Sequence, residues 1–330
     1  MTAHRMIRHL GIVTPVLDDW ESLAILLRAL DVELADAAHA ITIFVVDDGS
    51  REAFDAAPLA RAATGVVKTV HLIRLEANLG HQRAIAIGLI EAARQPGLDA
   101  VVVMDSDGED RPEDIRALLA ASMAHPGQII MAQRAKRSET WGFRGAYQIY
   151  KLMFRLATGR VINFGNFSLL PIAAVRRLIH MPELWNHLAA SIMRSRIPFR
   201  AVPTMRGHRY AGQSRLNMAG LIMHGLSAMS VYADVIFVRV LAAAAMLAGL
   251  SVLGMVAVAA IRLFTSLAIP GWATNAVGNL LVVLLQAVVI VVAATLMQLA
   301  GRSNRQIVPA LDAVAFIAER RDIALRATDA

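Results

Sequence analysis

The chain has 330 residues with no cysteine and a net charge of +7, and 56% of its residues are apolar while only 18% are charged. This length can bury a full core in one large domain or two smaller ones, and the composition excludes a disordered or collagen-like chain. The lack of cysteine excludes a disulfide framework, a thiolate zinc site and a cysteine nucleophile. Nucleic acid and a phospholipid surface are both anionic, so the charge alone does not identify the partner.

The first hundred residues alternate between short apolar strands and helical patterns. Strands are predicted over residues 11–16, 41–46, 66–74 and 100–104, and helices over 21–34 and 82–94. Apolar strands that alternate with helices predict an α/β domain, in which helices cover both faces of a parallel sheet. Ligands of such sheets bind outside the carboxyl ends of the strands. Those ends carry Pro15, Asp47-Asp48 and Asp105-Ser106-Asp107, which places the candidate site at this edge.

Three carboxylates follow the fourth predicted strand at alternating positions, namely Asp105, Asp107 and Glu109. Once the chain turns out of the strand they can converge on one divalent cation, and hard oxygen ligands select Mg²⁺ or Mn²⁺. The alternative is an acidic turn that precedes a helix beginning near Pro112. A second acidic strand end in the same sheet, Asp47-Asp48, favours the metal site.

Basic residues follow in two stretches. The first begins with Arg134, and the second covers residues 184–233, where no acidic residue occurs. The arginines of the second stretch are Arg194, Arg196, Arg200, Arg206, Arg209 and Arg215. Several are expected on a solvated or lipid-facing surface, while others can neutralise a pyrophosphate or a lipid phosphate. Gly212 and Ser214, between Arg209 and Arg215, are typical of a mobile loop that closes over phosphate.

The C-terminal part contains two long apolar runs. Residues 240–261 and 280–300 carry no charge. Each run is long enough to cross a hydrocarbon core of ~30 Å as a helix. We therefore predict transmembrane helices over residues 239–263 and 277–301. Two buried helices of a soluble bundle are the alternative, which the missing polar face disfavours.

Basic residues predict the orientation of these spans. Arg239 precedes the first span and Arg302 and Arg305 follow the second, while the loop between them has only Arg262. Both ends should therefore face the cytoplasm. No signal-peptide pattern is expected at residues 10–17, because a proline interrupts this apolar run and two aspartates follow it. The prediction is a multi-pass protein of the inner (cytoplasmic) membrane whose N-terminal α/β domain lies in the cytoplasm.

The remaining segments flank the predicted spans. Residues 1–217 are predicted to form the cytoplasmic α/β domain. Residues 218–238 form an amphipathic segment at the membrane interface, with packing against the domain as the alternative. Residues 302–330 form a cytoplasmic tail helix, since residues 307–326 mix apolar and charged side chains. No nucleic acid is expected as a partner, membrane lipid is, and self-association into a homo-oligomer stays open.

Four motifs, in this order, resemble those of family 2 glycosyltransferases. They are Thr14-Pro15-Val16 with Asp19, Val45-Val46-Asp47-Asp48-Gly49-Ser50, Asn78-Leu79-Gly80, and the run from Met104 to Glu113. Within this family the chain is most similar to the polyprenol-phosphate glycosyltransferases, which include dolichyl-phosphate mannose synthases and bactoprenol glucosyl transferases. The latter carry two membrane helices after the catalytic domain. The resemblance extends over residues 8–301.

The resemblance implies a GT-A fold that binds a nucleotide sugar, and it gives individual residues a role. The nucleotide-sugar site would be formed by Pro15, Asp19, Asp47, Asp48, Asp105, Arg209, Gly212 and Ser214. The metal ligands would be Asp105, Asp107 and Glu109, where Glu109 replaces the glutamine usual in the family.

Other positions correspond to further motifs of the family. Arg134 matches the arginine that ends the next strand. Gly212, Ser214 and Arg215 match a Gly-x-Ser-Lys loop in which arginine replaces lysine. Gly165-Asn166-Phe167 resembles a Gly-Asp-Phe motif whose carboxylate is replaced by an amide, a change that bears on the donor sugar and the acceptor geometry.

The implied reaction is an inverting transfer of a sugar from a nucleotide sugar to a polyprenyl phosphate, for cell-envelope glycan synthesis or modification. A divalent ion and arginines would stabilise the charge that develops on the leaving diphosphate. The candidate catalytic residues are Asp107, Asp110, Arg134 and Arg215. A lipid phosphate is ionised near neutral pH, whereas a hydroxyl acceptor would need a base such as Asp110. Asp110 is equally suited to cap the helix at Pro112.

Two other hypotheses stay open. One is a membrane glycosyltransferase that acts on a hydroxyl acceptor, and the other is a non-catalytic, transferase-like membrane partner. The intact acids Asp47, Asp105 and Asp107 argue against the second, while Asn166 is compatible with it. The lone histidines His81 and His208 are interpreted as packing or surface residues.

Overall fold

The computed structural model describes residues 7–35, 40–52, 54, 65–134, 141–161, 164–211, 218–266, 269–303 and 305–323. The chain divides into two compact units. The first comprises residues 1–143, 162–231 and 307–330, and the second comprises 144–161 and 232–306. The predicted domain 1–217 therefore differs from the first unit, which lacks residues 144–161 and includes the end of the chain.

Over the described residues, the first unit is built on an eight-stranded mixed sheet. Its strands are β1 (His9–Val16), β2 (Ala40–Asp47), β3 (Val67–Leu75), β4 (Ala100–Val103), β5 (Ile129–Arg134), β6 (Ser168–Pro171), β7 (Phe199–Thr204) and β8 (Ile317–Ile323). The spatial order is β7-β5-β6-β4-β1-β2-β3-β8. The four predicted strands are confirmed as the parallel centre. The sheet is mixed because β6 and β8 join their neighbours antiparallel.

Helices surround this sheet and continue into the second unit. They are α1 (Trp20–Glu33), α2 (His81–Arg94), α3 (Asp114–Ala124), α4 (Trp141–Thr158), α5 (Ile172–Leu178), α6 (Leu188–Arg194), α7 (Met218–Ser230), α8 (Ala233–Phe264), α9 (Trp272–Ser303) and α10 (Pro309–Asp312). Ile12 packs with buried residues of α1 and α3, whereas its neighbour Val13 packs with α2, α5 and α6. Because adjacent strand residues point to opposite faces, the sheet has a hydrophobic core on each side.

The end of the chain corrects the prediction of a tail helix over residues 302–330. After the four residues of α10 and a 3₁₀ turn (Ala313–Phe316), the chain forms β8 and pairs antiparallel with β3. The charged residues that indicated a surface helix are instead paired across the sheet. Arg320 contacts Glu91 at 2.8 Å, and the Asp322 carboxylate lies 2.5 Å from His71 Nδ1. This pairing covers the edge of β3, which would otherwise expose unpaired backbone groups.

The predicted interfacial segment, residues 218–238, is divided between two helices. α7 belongs to the first unit and contacts α6, and the Arg194 guanidinium donates to the Val231 carbonyl at 3.0 Å. Ala228 is buried, while Met223 and Leu226 remain exposed. α7 therefore packs against the rest of the first unit with one face and leaves an apolar face exposed.

In the second unit, α8 and α9 pack along each other as a helical hairpin. Among the described residues they are the two helices long and apolar enough to cross a membrane. They exceed the predicted spans 239–263 and 277–301 at their ends. At 1.5 Å per residue, 32 residues give about 48 Å, which is longer than a hydrocarbon core of about 30 Å. The two helices are suited to anchor the protein in a membrane.

Helix α4 contributes residues 144–158 to the same unit as this hairpin. The buried Phe154 ring packs edge-on against Tyr232, with 6.2 Å between centroids. The Arg239 guanidinium donates to the Leu156 carbonyl at 2.5 Å, close to the C-terminal end of α4. A cation at this end satisfies a carbonyl that has no partner within the helix. Arg239, predicted only as a flanking charge, thus joins α4 to the start of α8.

Two exposed stripes run along the other sides of α4. Leu152, Met153 and Leu156 are exposed, and Leu156 retains 66% of its accessible surface. Lys151 and Arg155, also four residues apart, form a neighbouring basic stripe. A helix with one packed, one apolar and one basic side has the composition of a helix at a membrane surface.

Candidate active site

The carboxyl ends of β1, β2 and β4 lie next to one another at one edge of the sheet. In the strand register Val16 is paired with Asp47, and Val13 with Val103. We call this region the acidic edge; it contains Asp19, Asp47, Asp48 and the turn of residues 105–110. The expectation that both acidic strand ends meet at one edge is confirmed.

Asp47 and Asp48 order the loops around the acidic edge. Asp47 is 1% exposed, accepts a hydrogen bond from Ser50 N–H at 2.8 Å and is paired with Arg74 at 3.2 Å. Asp48 accepts from the backbone N–H groups of Leu79 at 2.7 Å and Gly80 at 3.0 Å. Burial raises the pKa of Asp48, although these two backbone donors act in the opposite direction. Both carboxylates therefore connect the end of β2 to neighbouring segments.

The acidic turn of residues 105–110 is closed by its own side chains. The Asp110 carboxylate accepts from Asp105 N–H at 3.0 Å, and Asp107 Oδ1 accepts from Glu109 N–H at 2.9 Å. Ser106 Oγ donates to the Pro15 carbonyl at 3.2 Å, which holds the turn against the end of β1. Burial raises the pKa of Asp107.

The helix that follows Asp110, α3, begins at Asp114 with Glu113 at its N-cap position, two residues after the predicted start at Pro112. Asp110 is 2% exposed, and its carboxylate faces the acidic turn that it holds. Its position therefore gives it a role in ordering the turn.

A segment of residues 205–211, which we call the arginine segment, lies directly against the acidic turn. Its backbone N–H groups at Gly207 and Tyr210 donate to the carbonyls of Glu109 at 3.0 Å and Asp107 at 2.8 Å. Two glycines permit this approach. A Cβ atom at Gly207 would lie 2.1 Å from the Gly108 carbonyl oxygen, and one at Gly108 would lie 2.8 Å from the Tyr210 ring.

Two arginines of this segment are paired with the acidic edge. Arg209 joins two predicted site residues, since its guanidinium lies 3.0 Å from Asp19 Oδ2 and 3.2 Å from Asp107 Oδ2. Arg206 forms a close ion pair with Glu109. Sequence reasoning identified Arg209 but assigned no role to Arg206 within the acid-free stretch. The three-residue spacing of these arginines is a weak signal without knowledge of where the segment lies.

His81, interpreted from the sequence as a packing or surface residue, contacts the acidic turn. Its Nε2 atom lies 3.3 Å from Asp105 Oδ1 and 3.1 Å from Asn166 Nδ2. Burial lowers the pKa of His81, but the charge and hydrogen bond of Asp105, together with the charges of Asp110 and Asp48, raise the pKa overall. Gln82 joins the same network, because its amide donates to Asn166 Oδ1 and accepts from Leu188 N–H. Asn166, the departure from the family motif, is thus part of an ordered hydrogen-bond network.

The predicted metal ligands are not arranged as a preformed metal site. Their oxygen chemistry suits Mg²⁺ or Mn²⁺. However, Asp107 and Glu109 are paired with Arg209 and Arg206, and the His81 imidazole lies 3.3 Å from Asp105 Oδ1. Within the described part of the chain, no group of three or more such ligands is close enough to hold a metal ion. In this arrangement arginine side chains occupy two of the three carboxylates.

Four predicted site residues are described in part or not at all. Gly212, Ser214 and Arg215 lie outside the described residues. The backbone of Arg134 ends β5, as expected, and is paired in the register with Thr204 of β7. The side chain of Arg134 is outside the described part.

The model of one family matches residues 12–181, just over half of the chain, and this family is described as glycosyl transferase family 2. The chain therefore belongs to this family. The predicted α/β class, with two long apolar helices in the C-terminal part, is confirmed by the mixed sheet and the helical hairpin of the described residues.

The chain is also similar to individual proteins. It is 29% identical over 174 residues to an undecaprenyl-phosphate 4-deoxy-4-formamido-L-arabinose transferase from Serratia proteamaculans, a match of 52% of this chain and 51% of that protein. The match to the protein of the same name from Sodalis glossinidius is 27% over 230 residues and 67% of each chain. The chain thus spans about half of the first relative and two thirds of the second.

Among solved structures, the chain is similar to glucosyl-3-phosphoglycerate synthase from Mycobacterium tuberculosis, crystallised with Mn²⁺, uridine-diphosphate-glucose and phosphoglyceric acid. The identity is 16% and the TM-score is 0.48, with 70% of this chain and 79% of that chain covered.

Proposed function

We propose that the protein transfers a sugar from a nucleotide sugar to a polyprenyl phosphate at a membrane surface, for the synthesis or modification of cell-envelope glycans. The observation that carries this proposal is the combination within one chain of a family 2 glycosyltransferase unit and a membrane-anchoring hairpin. The names of the relatives, which specify undecaprenyl phosphate, support the same acceptor class.

In the proposed reaction, a phosphate oxygen of the lipid attacks the anomeric carbon of the donor sugar. The new carbon–oxygen bond forms as the bond to the nucleoside diphosphate breaks, and the diphosphate leaves with the bonding electrons. A single displacement of this kind inverts the anomeric centre. Negative charge grows on the leaving diphosphate, and positive groups fixed where that charge develops lower the barrier.

The arginine segment supplies such groups. Arg206 and Arg209 lie at the acidic edge, and both are partly exposed and therefore accessible to a ligand. Guanidinium groups form bidentate contacts with phosphate oxygens. We assign the donor diphosphate to these arginines and the nucleotide to the edge formed by Pro15, Asp19, Asp47 and Asp48. Arg134, Gly212, Ser214 and Arg215 remain candidates for the phosphate contacts.

The position of Asp110 supports a phosphate acceptor over a hydroxyl acceptor. A hydroxyl group must lose a proton during attack, and the base that takes it has to reach that group. Asp110 is 2% exposed and holds the Asp105 N–H group, so it is poorly available for this role. A phosphate oxygen is already ionised near neutral pH and needs little help from a base. We propose Mg²⁺ or Mn²⁺ as the cation that accompanies the donor.

Helix α4 supports a location of the acceptor at the membrane surface. Its exposed apolar stripe, Leu152, Met153 and Leu156, can enter the boundary between headgroups and acyl chains. Lys151 and Arg155 beside it can meet anionic headgroups, each for about 1 kcal/mol.

The course of the chain supports a single side for the catalytic unit. The first unit precedes α8 and also follows α9, so two membrane crossings would return the chain to the side from which it left. We propose that this side is the cytoplasm of a cell with an inner membrane, because Arg239, Arg302 and Arg305 flank the hairpin at that end.

A transfer assay tests this proposal. Membranes that contain the protein are incubated with polyprenyl phosphate and a panel of labelled nucleotide sugars, and Asp107→Ala serves as the inactive control. Label that enters the organic phase and is lost with Asp107→Ala supports the proposal. Label found only in a water-soluble or polymeric product would refute the lipid acceptor, and no turnover with any donor would favour a non-catalytic partner.

A further inference from the structure

We infer that Arg206 and Arg209 occupy the metal-binding carboxylates of the ligand-free protein, so that a divalent cation binds together with the donor diphosphate and only weakly alone. The inference rests on the proposed function, because it concerns the donor site of that reaction. Its basis is the pairing of Arg209 with Asp107 and of Arg206 with Glu109.

These ion pairs belong to a closely fitted contact. The arginine segment and the acidic turn share two backbone hydrogen bonds, from Gly207 and Tyr210, in addition to the ion pairs. No Cβ atom fits at Gly207 or at Gly108. The Asp107 and Glu109 side chains keep 17% and 20% of their exposure, so solvent screens these pairs less than it would at an open surface. The backbone contacts therefore hold both guanidinium groups where a cation would bind.

Charge balance explains why the cation and the diphosphate should bind together. A divalent ion between Asp105 and Asp107 would use oxygen atoms that His81 and Arg209 now contact. If the ion entered alone, it would compete with Arg209 for Asp107 and place a double positive charge beside a guanidinium that keeps only Asp19 as its partner. A diphosphate would add negative charge at this point and would itself be bound by both the arginines and the ion. The cation and the diphosphate therefore each make binding of the other more favourable, and this difference in binding free energy is the coupling between the two sites.

The experiment measures binding of Mn²⁺ alone to the full-length protein in detergent, by electron paramagnetic resonance and with no nucleotide present. We expect the wild-type protein to bind weakly and the double variant Arg206→Gln with Arg209→Gln to bind about tenfold more tightly, within the usual range of such couplings. Arg116→Gln is the matched control, because Arg116 contacts the Glu33 carbonyl and lies outside the acidic edge. It should leave Mn²⁺ binding at the wild-type level.

A second pair of variants separates charge from misfolding. Arg206→Lys with Arg209→Lys keeps both positive charges and should bind Mn²⁺ as weakly as the wild-type protein. Equal affinity of the wild-type protein and the glutamine variant, with both folded by circular dichroism, would overturn the inference. If the glutamine variant does not fold, the wild-type protein is measured with and without nucleotide. Strong Mn²⁺ binding in the absence of nucleotide would also overturn the inference. Weak Mn²⁺ binding that UDP or GDP strengthens at least fivefold would support it.

The two proposals fail in different ways. Tighter Mn²⁺ binding by the glutamine variant, without any sugar transfer by the wild-type protein, would support the inference and contradict the proposed function. Transfer to polyprenyl phosphate with unchanged Mn²⁺ affinity in the variants would contradict the inference alone.

Discussion

Substitutions of Asp110 test whether this carboxylate acts as a catalytic base or maintains the conformation of the acidic turn. The side chain is 2% exposed and accepts the Asp105 N–H group at 3.0 Å. In Asp110→Asn an amide oxygen can still accept this bond without the charge, and we expect a loss of about 1 kcal/mol. In Asp110→Ala the N–H group loses its acceptor, which should cost about 2 kcal/mol. For a unit of this size, the second change corresponds to a Tm lower by roughly 4–8 °C.

The assay combines thermal unfolding in detergent with hydrogen exchange at the Asp105 amide. Exchange should be fastest in Asp110→Ala and close to the wild-type rate in Asp110→Asn. Sugar transfer should fall in the same order, with Asp110→Asn within about tenfold of the wild-type rate. The turn needs an acceptor for the Asp105 N–H group, which asparagine still provides, and does not need a side chain that takes up a proton.

A different pattern of effects would identify Asp110 as a catalytic base. A general base contributes about 10²–10⁴-fold to a reaction rate, and asparagine cannot replace it. If Asp110→Asn has the wild-type Tm and exchange rate but loses activity by this factor, Asp110 is a catalytic base, and a hydroxyl acceptor becomes the better hypothesis.

Three further predictions concern α4, the helical hairpin and β8. Leu156→Glu on α4 should raise the KM for membrane-presented polyprenyl phosphate about tenfold by placing a charge at the apolar stripe, as expected for binding at a membrane surface. Val32→Glu, at an exposed apolar residue of α1, is its control, and equal effects would contradict the interpretation. In this cysteine-free chain, Ser266→Cys should react with an impermeant maleimide from outside intact cells and Ser303→Cys should not; the reverse would invert the topology. Ile323→Ala should lower stability by about 2–3 kcal/mol, and an unchanged Tm would argue against pairing of β8 with β3.

The acidic edge could be predicted because its signals are local. Apolar runs ending in Asp47-Asp48 and Asp105-Ser106-Asp107 identify strands and their carboxyl ends, and parallel strands bring such ends together. The two apolar helices could be predicted from an equally local signal, since an uncharged run of this length is unusual in a soluble protein. Their exact ends were less predictable, because α8 begins at Ala233, before the uncharged run.

The pairing of distant residues could not be predicted in the same way. β8 has the mixed charge of a surface helix, and it becomes a strand because the edge of β3, about 250 residues earlier, is available. Arg206 and His81 meet the acidic turn through the path of the whole chain, so no spacing in the sequence identifies them. Asn166 appeared in the sequence as a lost carboxylate, and only the fold reveals its contacts with Gln82 and His81.

The central claim is that a lipid phosphate accepts the sugar, and a comparison of two acceptors tests it most directly. The purified protein in proteoliposomes is given labelled nucleotide sugars together with either polyprenyl phosphate or the matching polyprenol, which has a hydroxyl group in place of the phosphate. We expect an organic-phase glycolipid with polyprenyl phosphate and none with polyprenol. A labelled product from polyprenol at a comparable rate, or from neither lipid while a water-soluble acceptor is glycosylated, would contradict it.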